Sequence, residues 1–126
     1  MRCKAMTCRG LRGATRAETN SREAILNATR ELLEHLVQEN KLHEEDIAAV
    51  FFTTTTDLNA EFPAVAARQI GWSGIALMCS HEMNVPGVLD LCIRVMLLVN
   101  TEKKADELVN VYLKGTEKLR QRGIAV

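Results

Sequence analysis

Hydrophobic and polar positions follow helical spacing over one long stretch of this chain. Between residues 21 and 39, Ile25, Leu32 and Leu36 fall on one side of a helical wheel, and charged residues occupy the other side. Asn20 with Glu23 three positions later resembles a capping box, which is typical of a helix start. The pattern therefore predicts a long amphipathic helix over residues 21–39.

The rest of the chain alternates short apolar stretches with turn-forming residues, which indicates strands and shorter helices. Pro63 suits the first position of a short helix over residues 64–70, which Gly71 closes. Helical spacing returns over residues 103–113. Strands are predicted over residues 6–13, 47–56, 75–78, 89–100 and 114–119, with residues 1–5 as a loose lead and the polar residues from Arg120 onward as a mobile tail.

This order of elements predicts the architecture of one domain over residues 1–126. Strands that alternate with helices favour an α+β or α/β fold, with a mixed sheet and helices packed on one face. Two predicted strands are apolar on both sides, at residues 50–52 and 95–99. The sheet face without helices therefore needs cover, and other copies of the chain provide it most simply. A homo-oligomer is expected from the residues alone.

Composition narrows the class of protein. The 126 residues are 47% hydrophobic and 25% charged, which suits a globular domain rather than a disordered chain. Aromatic residues make up only 4%, so we expect a core of Leu, Val, Ile, Ala and Met. Sixteen basic residues balance sixteen acidic ones, which argues against a nucleic-acid binder. The longest aliphatic run, Val95–Val99, is far shorter than the roughly 20 residues of a membrane span.

The four cysteines show no spacing typical of a disulfide framework or a metal site. They contain no CxxC pair, and the three histidines have no ligand spacing relative to them. We expect free thiols in a reducing compartment, which favours the cytoplasm. The spacing predicts no metal, and no cofactor is predicted either, since the nucleotide-binding motifs GxGxxG and GxxxxGK[ST] are both missing from the sequence. The four cysteines are Cys3, Cys8, Cys79 and Cys92, and the three histidines are His35, His43 and His81.

Arg94 is the most informative charge, because it interrupts an apolar predicted strand. By strand alternation it shares a face with Cys92, Met96 and Leu98. An arginine stays charged, and burying that charge unpaired costs several kcal/mol. Arg94 must therefore meet an anion, which is either a carboxylate of the protein in a structural salt bridge or a carboxylate of a ligand.

Other candidates each have an ordinary structural interpretation. Arg12 ends a predicted strand between glycines, Glu82 lies in a loop, and Arg68 projects from a short apolar helix. Tyr112 and Cys79 would usually be core residues. Several arginines at strand ends, without paired carboxylates or a metal cluster, nevertheless favour a site for a small, multiply anionic ligand, because arginine forks match carboxylates.

Six motifs in order resemble those of the monofunctional chorismate mutases of the trimeric α/β class. Each motif is weak alone, but together they extend from about Arg9 to Arg120. The motifs are Arg9-Gly10-Leu11-Arg12-Gly13-Ala14-Thr15, Phe62-Pro63-Ala64 with Ala67-Arg68, Cys79 with Glu82-Met83, Cys92-Ile93-Arg94-Val95-Met96, Val111-Tyr112-Leu113 and Leu119-Arg120.

The resemblance implies a homotrimer with a pseudo-barrel core, active sites at subunit interfaces and a Claisen rearrangement of chorismate to prephenate. Arg94 would donate to the ether oxygen of the breaking bond. Arg12 and Tyr112 would hold the carboxylates, and Glu82 with the backbone around Cys79 would take the ring hydroxyl. A neighbouring chain would supply Phe62. Arg68 and Arg120 would add peripheral charge, and the tail after Leu119 would close over the ligand.

Two other classes stay open on the residues alone. A non-catalytic trimeric module that binds an amino acid or carboxylate would share the scaffold, but it would not need a cation inside an apolar strand. A nucleic-acid binder could use Arg2, Lys4, Arg9, Arg12 and Arg16, which form a basic N-terminal segment. Zero net charge and few aromatic residues argue against that second alternative.

Overall fold

A computed structural model describes residues 6–120, which form a five-stranded sheet with two α-helices. The sheet order is β3-β2-β4-β1-β5. The central strand β4 is antiparallel to β2 and to β1, whereas the outer pairs β2–β3 and β1–β5 are parallel. The elements are β1 (Thr7–Arg16), α1 (Arg22–Asn40), β2 (Ile47–Thr54), α2 (Ala64–Gln69), β3 (Ala76–His81), β4 (Cys92–Thr101) and β5 (Val111–Tyr112).

The long helix predicted over residues 21–39 is confirmed as α1. Its N-cap is Ser21, whose hydroxyl accepts a hydrogen bond from the backbone N–H of Ala24 at 3.2 Å. Asn20 is not the cap, because its side chain binds the backbone N–H groups of Asn59 and Ala60 instead. The helix ends at Asn40, and its C-cap residue Lys41 adopts the left-handed conformation with φ of 52°.

Strand alternation divides the sheet into a helix-covered face and an open face. On the helix-covered face, Leu11, Val50, Phe52 and Leu97 pack with residues of both helices and with the only tryptophan, Trp72, in one core. Gly13 points the same way, and a Cβ there would lie 3.0 Å from both Leu32 and Leu36. On the open face, large apolar side chains remain exposed: Phe51 (39%), Met78 (62%) and Met96 (41%). The predicted arrangement of helices on one face is thus confirmed.

Methionine was expected in the core, and that expectation is wrong for the described residues. Met6, Met78, Met83 and Met96 are all exposed. Phe52 and Trp72 are buried and supply core volume that the sequence argument assigned to methionine. A flexible thioether side chain on a surface is typical of a place where another molecule packs.

The predicted helix over residues 103–113 is wrong. The chain forms only a single 3-10 turn at Ala105–Glu107 and then the short strand β5, which pairs with Gly13 and Ala14. The buried side chain of Asn40 overrides the helical spacing, because it accepts from the N–H of Val109 at 2.7 Å and donates to its carbonyl at 2.9 Å. These bonds take the backbone groups that a helix would have used.

The predicted last strand over residues 114–119 is also wrong. Lys114 and Gly115 form a turn with φ of 54° and 82°, and a 3-10 helix follows at Thr116–Arg120. Thr116 fastens that helix to β1 by donating to the carbonyl of Ala14 at 3.1 Å. The predicted loose lead and the residues after Arg120 lie outside the described part of the chain. Within residues 6–120, no helix has both the length and the apolar character needed to cross a membrane.

Candidate active site

Arg94 lies in the middle of the sheet and points to the open face, where it meets a carboxylate of its own chain. Its Nη1 donates to Oε1 of Glu82 at 3.0 Å, and the two side chains are 43% and 22% exposed. The other carboxylate oxygen, Oε2, accepts from the hydroxyl of Thr53 at 2.7 Å. The protein thus provides an anion for Arg94, and part of the Arg94 side chain stays exposed.

A cavity of about 270 Å³ opens beside this group. Arg12 of β1 and Tyr112 of β5 line it together with Arg94 and Glu82. The backbone N–H of Arg12 donates to Oδ1 of Asn110 at 2.8 Å, which ties β1 to the segment before Tyr112. Four residues that the sequence analysis singled out therefore share one cavity.

Phe62 and Cys79 line a different cavity of about 340 Å³, at the far edge of the sheet. The Phe62 side chain is 65% exposed. Burial raises the pKa of the Cys79 thiol, against the opposite effects of the Ala64 backbone hydrogen bond and the charge of Arg68. The thiol therefore stays protonated at neutral pH. Arg68 is exposed on α2, near enough to Cys79 for its charge to act on the thiol.

Leu119 is brought close to the Arg94 group. It lines a small cavity of about 40 Å³ whose other walls include Glu82, Arg94 and Cys92. Burial raises the pKa of Cys92 to about 11, although Arg94 acts in the opposite direction. Arg120 ends the last 3-10 helix, and its side chain lies outside the described part of the structure.

Sequence reasoning missed Thr53 and the polar group that fixes the start of β4. Thr53 pairs with Arg94 across β2 and β4, a register that sequence does not reveal. Asp57 accepts from the backbone N–H of Leu91 at 2.9 Å, where Leu91 has a positive φ of 49°. Burial works to raise the pKa of Asp57, but hydrogen bonds from Thr55 and Leu91 and the charge of Arg16 hold it below its usual value.

The charges that line the Arg94 cavity suit a small anion with more than one carboxylate. Arg12 and Arg94 supply two guanidinium groups against the single carboxylate of Glu82. No group of three or more His, Cys, Asp or Glu that could hold a metal ion occurs within residues 6–120. Fold and site together define an α+β domain with a cavity, lined by two arginines and one glutamate, on the open face of its sheet.

Comparisons with known proteins identify the family to which this α+β domain belongs. The family model described as chorismate mutase type I matches residues 8–122. The chain is 42% identical over 116 residues to chorismate mutase AroH of Bacillus subtilis, covering 91% of each chain. It is 46% identical over 113 residues to chorismate mutase AroH of Thermus thermophilus, covering 89% of this chain and 93% of that one.

A solved structure agrees with these sequence relationships. Chorismate mutase from Clostridium thermocellum superposes with a TM-score of 0.85 at 45% identity, over 87% of this chain and 98% of that chain. The chain belongs to the type I chorismate mutase family, a family of isomerases.

Proposed function

We propose that this family member rearranges chorismate to prephenate, for the synthesis of aromatic amino acids, in sites shared between subunits of a homotrimer. The observation that most supports the proposal is the placement of Arg94. The Glu82 carboxylate holds it at 3.0 Å, beside a cavity that also contains Arg12 and Tyr112. A non-catalytic binding module would have no need for a fixed cation there.

The rearrangement requires that the substrate be held in position and that the charge of its transition state be stabilised. In the rearrangement a C–O bond breaks and a C–C bond forms within one molecule, so no proton is transferred and no adduct with the enzyme forms. The ether oxygen gains negative charge as its bond breaks. Arg94 donates to that oxygen and stabilises the transition state more than the ground state.

The other site residues hold the reactive conformer, which lowers the entropic part of the barrier. Arg12 and Tyr112 hold the two carboxylates, and Glu82 with the backbone around Cys79 takes the ring hydroxyl. The thiol of Cys79 needs no chemical role, because the rearrangement transfers no proton and forms no adduct with the enzyme. Leu119 lies beside Glu82 and Arg94 in the small cavity, and the tail that the resemblance expects to close over the ligand lies beyond the described residues.

The separation of the two cavities supports a shared site. Phe62 lines one cavity and Arg94 the other, so a single chain holds two incomplete halves. The open face between them exposes Phe51, Met78 and Met96, which neighbouring copies would cover. A trimer brings the Phe62 half of one subunit, with Arg68 as peripheral charge, to the Arg94 half of the next.

The first test is the loss of the ultraviolet absorbance of chorismate when purified protein is added. The second mixes inactive Arg94→Ala and Phe62→Asp chains after joint unfolding and refolding. If one site takes the two residues from different subunits, equal mixing restores wild-type pairs in roughly a quarter of the sites.

The matched control mixes Arg94→Ala with Glu82→Ala, which alter the same half-site and should restore nothing. Binding of chorismate without turnover would contradict the enzymatic proposal. A monomer by light scattering at micromolar concentration would contradict the shared site.

A cytoplasmic location also belongs to the proposal. It is supported by the described cysteines Cys8, Cys79 and Cys92, which are all free thiols, as a reducing compartment would keep them. Immunodetection in the fractionated source cell tests it, and recovery outside the cytoplasmic fraction would contradict it.

A further inference from the structure

Glu82 is held from three directions, and only one of them is Arg94. Its backbone N–H donates to the carbonyl of Thr54 at 2.8 Å, which continues the parallel pairing of β3 with β2. Its Oε2 accepts from the Thr53 hydroxyl at 2.7 Å, and its Oε1 accepts from Arg94 at 3.0 Å. Both carboxylate oxygens therefore have a fixed donor.

The Thr53 hydroxyl changes what the Arg94–Glu82 pair can do. The Arg94 side chain is 43% exposed, and ion pairs that exposed usually keep much of their side-chain freedom. Thr53 faces Arg94 directly across β2 and β4, and its β-branched side chain is stiff about χ1. A stiff donor on Oε2 limits rotation of the carboxylate, which in turn limits the directions open to the guanidinium.

We propose that Thr53 is a positioning residue for the mutase reaction, which sets the direction of Arg94 by fixing the Glu82 carboxylate. The proposal rests on the function proposed above for Arg94. Electrostatic stabilisation depends on donors that are already oriented when charge develops. Valine would suit a strand at least as well as threonine does, so the hydroxyl is not required by β2 itself.

The experiment compares Thr53→Val and Thr53→Ala, which both remove the hydroxyl, with Thr53→Ser, which keeps it. A hydrogen bond to a charged group has the strength to change turnover roughly ten- to a hundred-fold. We expect kcat to fall by that factor in the Val and Ala variants with KM within roughly threefold of wild type, because Arg12 and Tyr112 still hold the carboxylates. Thr53→Ser should recover most of the kcat.

A second measurement does not depend on turnover. In unliganded protein labelled with 15N-arginine, restricted rotation gives a clamped guanidinium separate Nη signals. We expect separate Arg94 signals in wild type and in Thr53→Ser, and averaged signals in Thr53→Val and Thr53→Ala. If the wild type shows separate Arg94 signals but no turnover, the proposed function is wrong, whereas the fixing of Arg94 through Glu82 and Thr53 is still supported.

Thr15→Val is the matched control. It makes the same chemical change in the neighbouring part of the sheet, where the buried Thr15 hydroxyl has no hydrogen-bond partner. It should alter neither kcat nor the Arg94 signals. Three outcomes would each overturn the proposal. The first is an equal loss of kcat in Thr53→Ser and Thr53→Val, and the second is a rise in KM alone. The third is that kcat and the Arg94 signals are unchanged in both the Val and the Ala variant. Thermal melting of every variant identifies losses that come from unfolding.

Discussion

The two faces of the central strand β4 differ in what their residues do, although the residues alternate one by one. Ile93, Val95 and Leu97 point to the helix-covered face and are at most 3% exposed. Arg94 and Met96 point to the open face, where a side-chain exposure of 43% and a residue exposure of 41% leave them accessible. The comparison teaches that one face stabilises the chain, whereas the other leaves a charged and an apolar side chain partly exposed.

The largest expected effect concerns the open face. Arg94→Lys keeps the charge but loses the planar fork and its fixed direction. Loss of one aimed donor to a developing oxyanion costs on the order of 10²–10³ in kcat. We expect that loss with a smaller change in KM, measured by chorismate consumption.

Arg30→Lys is the control, because Arg30 lies on α1 and contacts Gln69 rather than the cavity. It should leave kcat unchanged. A rise in KM alone for Arg94→Lys would assign Arg94 to binding rather than to bond breaking.

The second prediction compares two glycines of β1 that point to opposite faces. An added Cβ at Gly13 would lie 3.0 Å from Leu32 and Leu36, whereas one at Gly10 would meet nothing within 4 Å. Gly13→Ala overpacks the core, so we expect it to lower the free energy of unfolding by about 1–3 kcal/mol in urea titrations.

Gly10→Ala should cause no clash within its own chain. Any loss of stability that it does cause should depend on protein concentration, since it would report contact with a neighbouring copy. If Gly10→Ala and Gly13→Ala lowered the free energy of unfolding equally and independently of protein concentration, the two faces would not differ in this way.

The third prediction concerns how stability depends on pH through Cys92, the first residue of β4. Burial raises the pKa of Cys92 to about 11, above the ordinary thiol value of 9.0. Between those two pH values the folded chain keeps a proton that the unfolded chain releases, so stability is complete below pH 9 and falls as pH rises toward 11. Chemical unfolding at several pH values should show this slope. Cys92→Ala should make the slope shallower, and an unchanged slope would contradict the assignment.

The smallest effect is expected at Thr15. Its hydroxyl is fully buried on the helix-covered face and has no hydrogen-bond partner. Thr15→Val replaces it with a methyl group of similar shape, which should raise the free energy of unfolding by up to about 1 kcal/mol. Thr29→Val is the contrasting variant, because the Thr29 hydroxyl donates to the carbonyl of Ile25 at 2.7 Å and its loss brings no such gain. A destabilised Thr15→Val would show that the hydroxyl is satisfied in solution.

Sequence predicted the elements whose patterns are local and missed those that distant residues decide. The spacing of Ile25, Leu32 and Leu36 was enough to predict α1. The helical spacing of residues 103–113 was misleading, because Asn40, some seventy positions earlier, binds the backbone of Val109. Strand β4 begins at Cys92 instead of residue 89, after the positive φ of Leu91.

The candidate site shows the same limit. Alternation placed Arg94 on the same face of its strand as Met96, and the structure shows that this is the open face. Sequence could not supply the register that sets Thr53 opposite Arg94, nor the folding of the chain that separates Phe62 from that cavity. The resemblance to a family suggested which residues act together, but cross-strand geometry determines how they are held.

The central position of β4 also has a consequence for motion. Amides in a strand bonded on both sides exchange with solvent only when large parts of a protein open, whereas exposed loops exchange through small fluctuations. Arg94 lies on a strand that pairs with β1 on one side and β2 on the other. Phe62 precedes a short helix and is 65% exposed. Amide exchange should therefore be slow at Arg94 and fast at Phe62, the two residues that the proposed shared site would bring together.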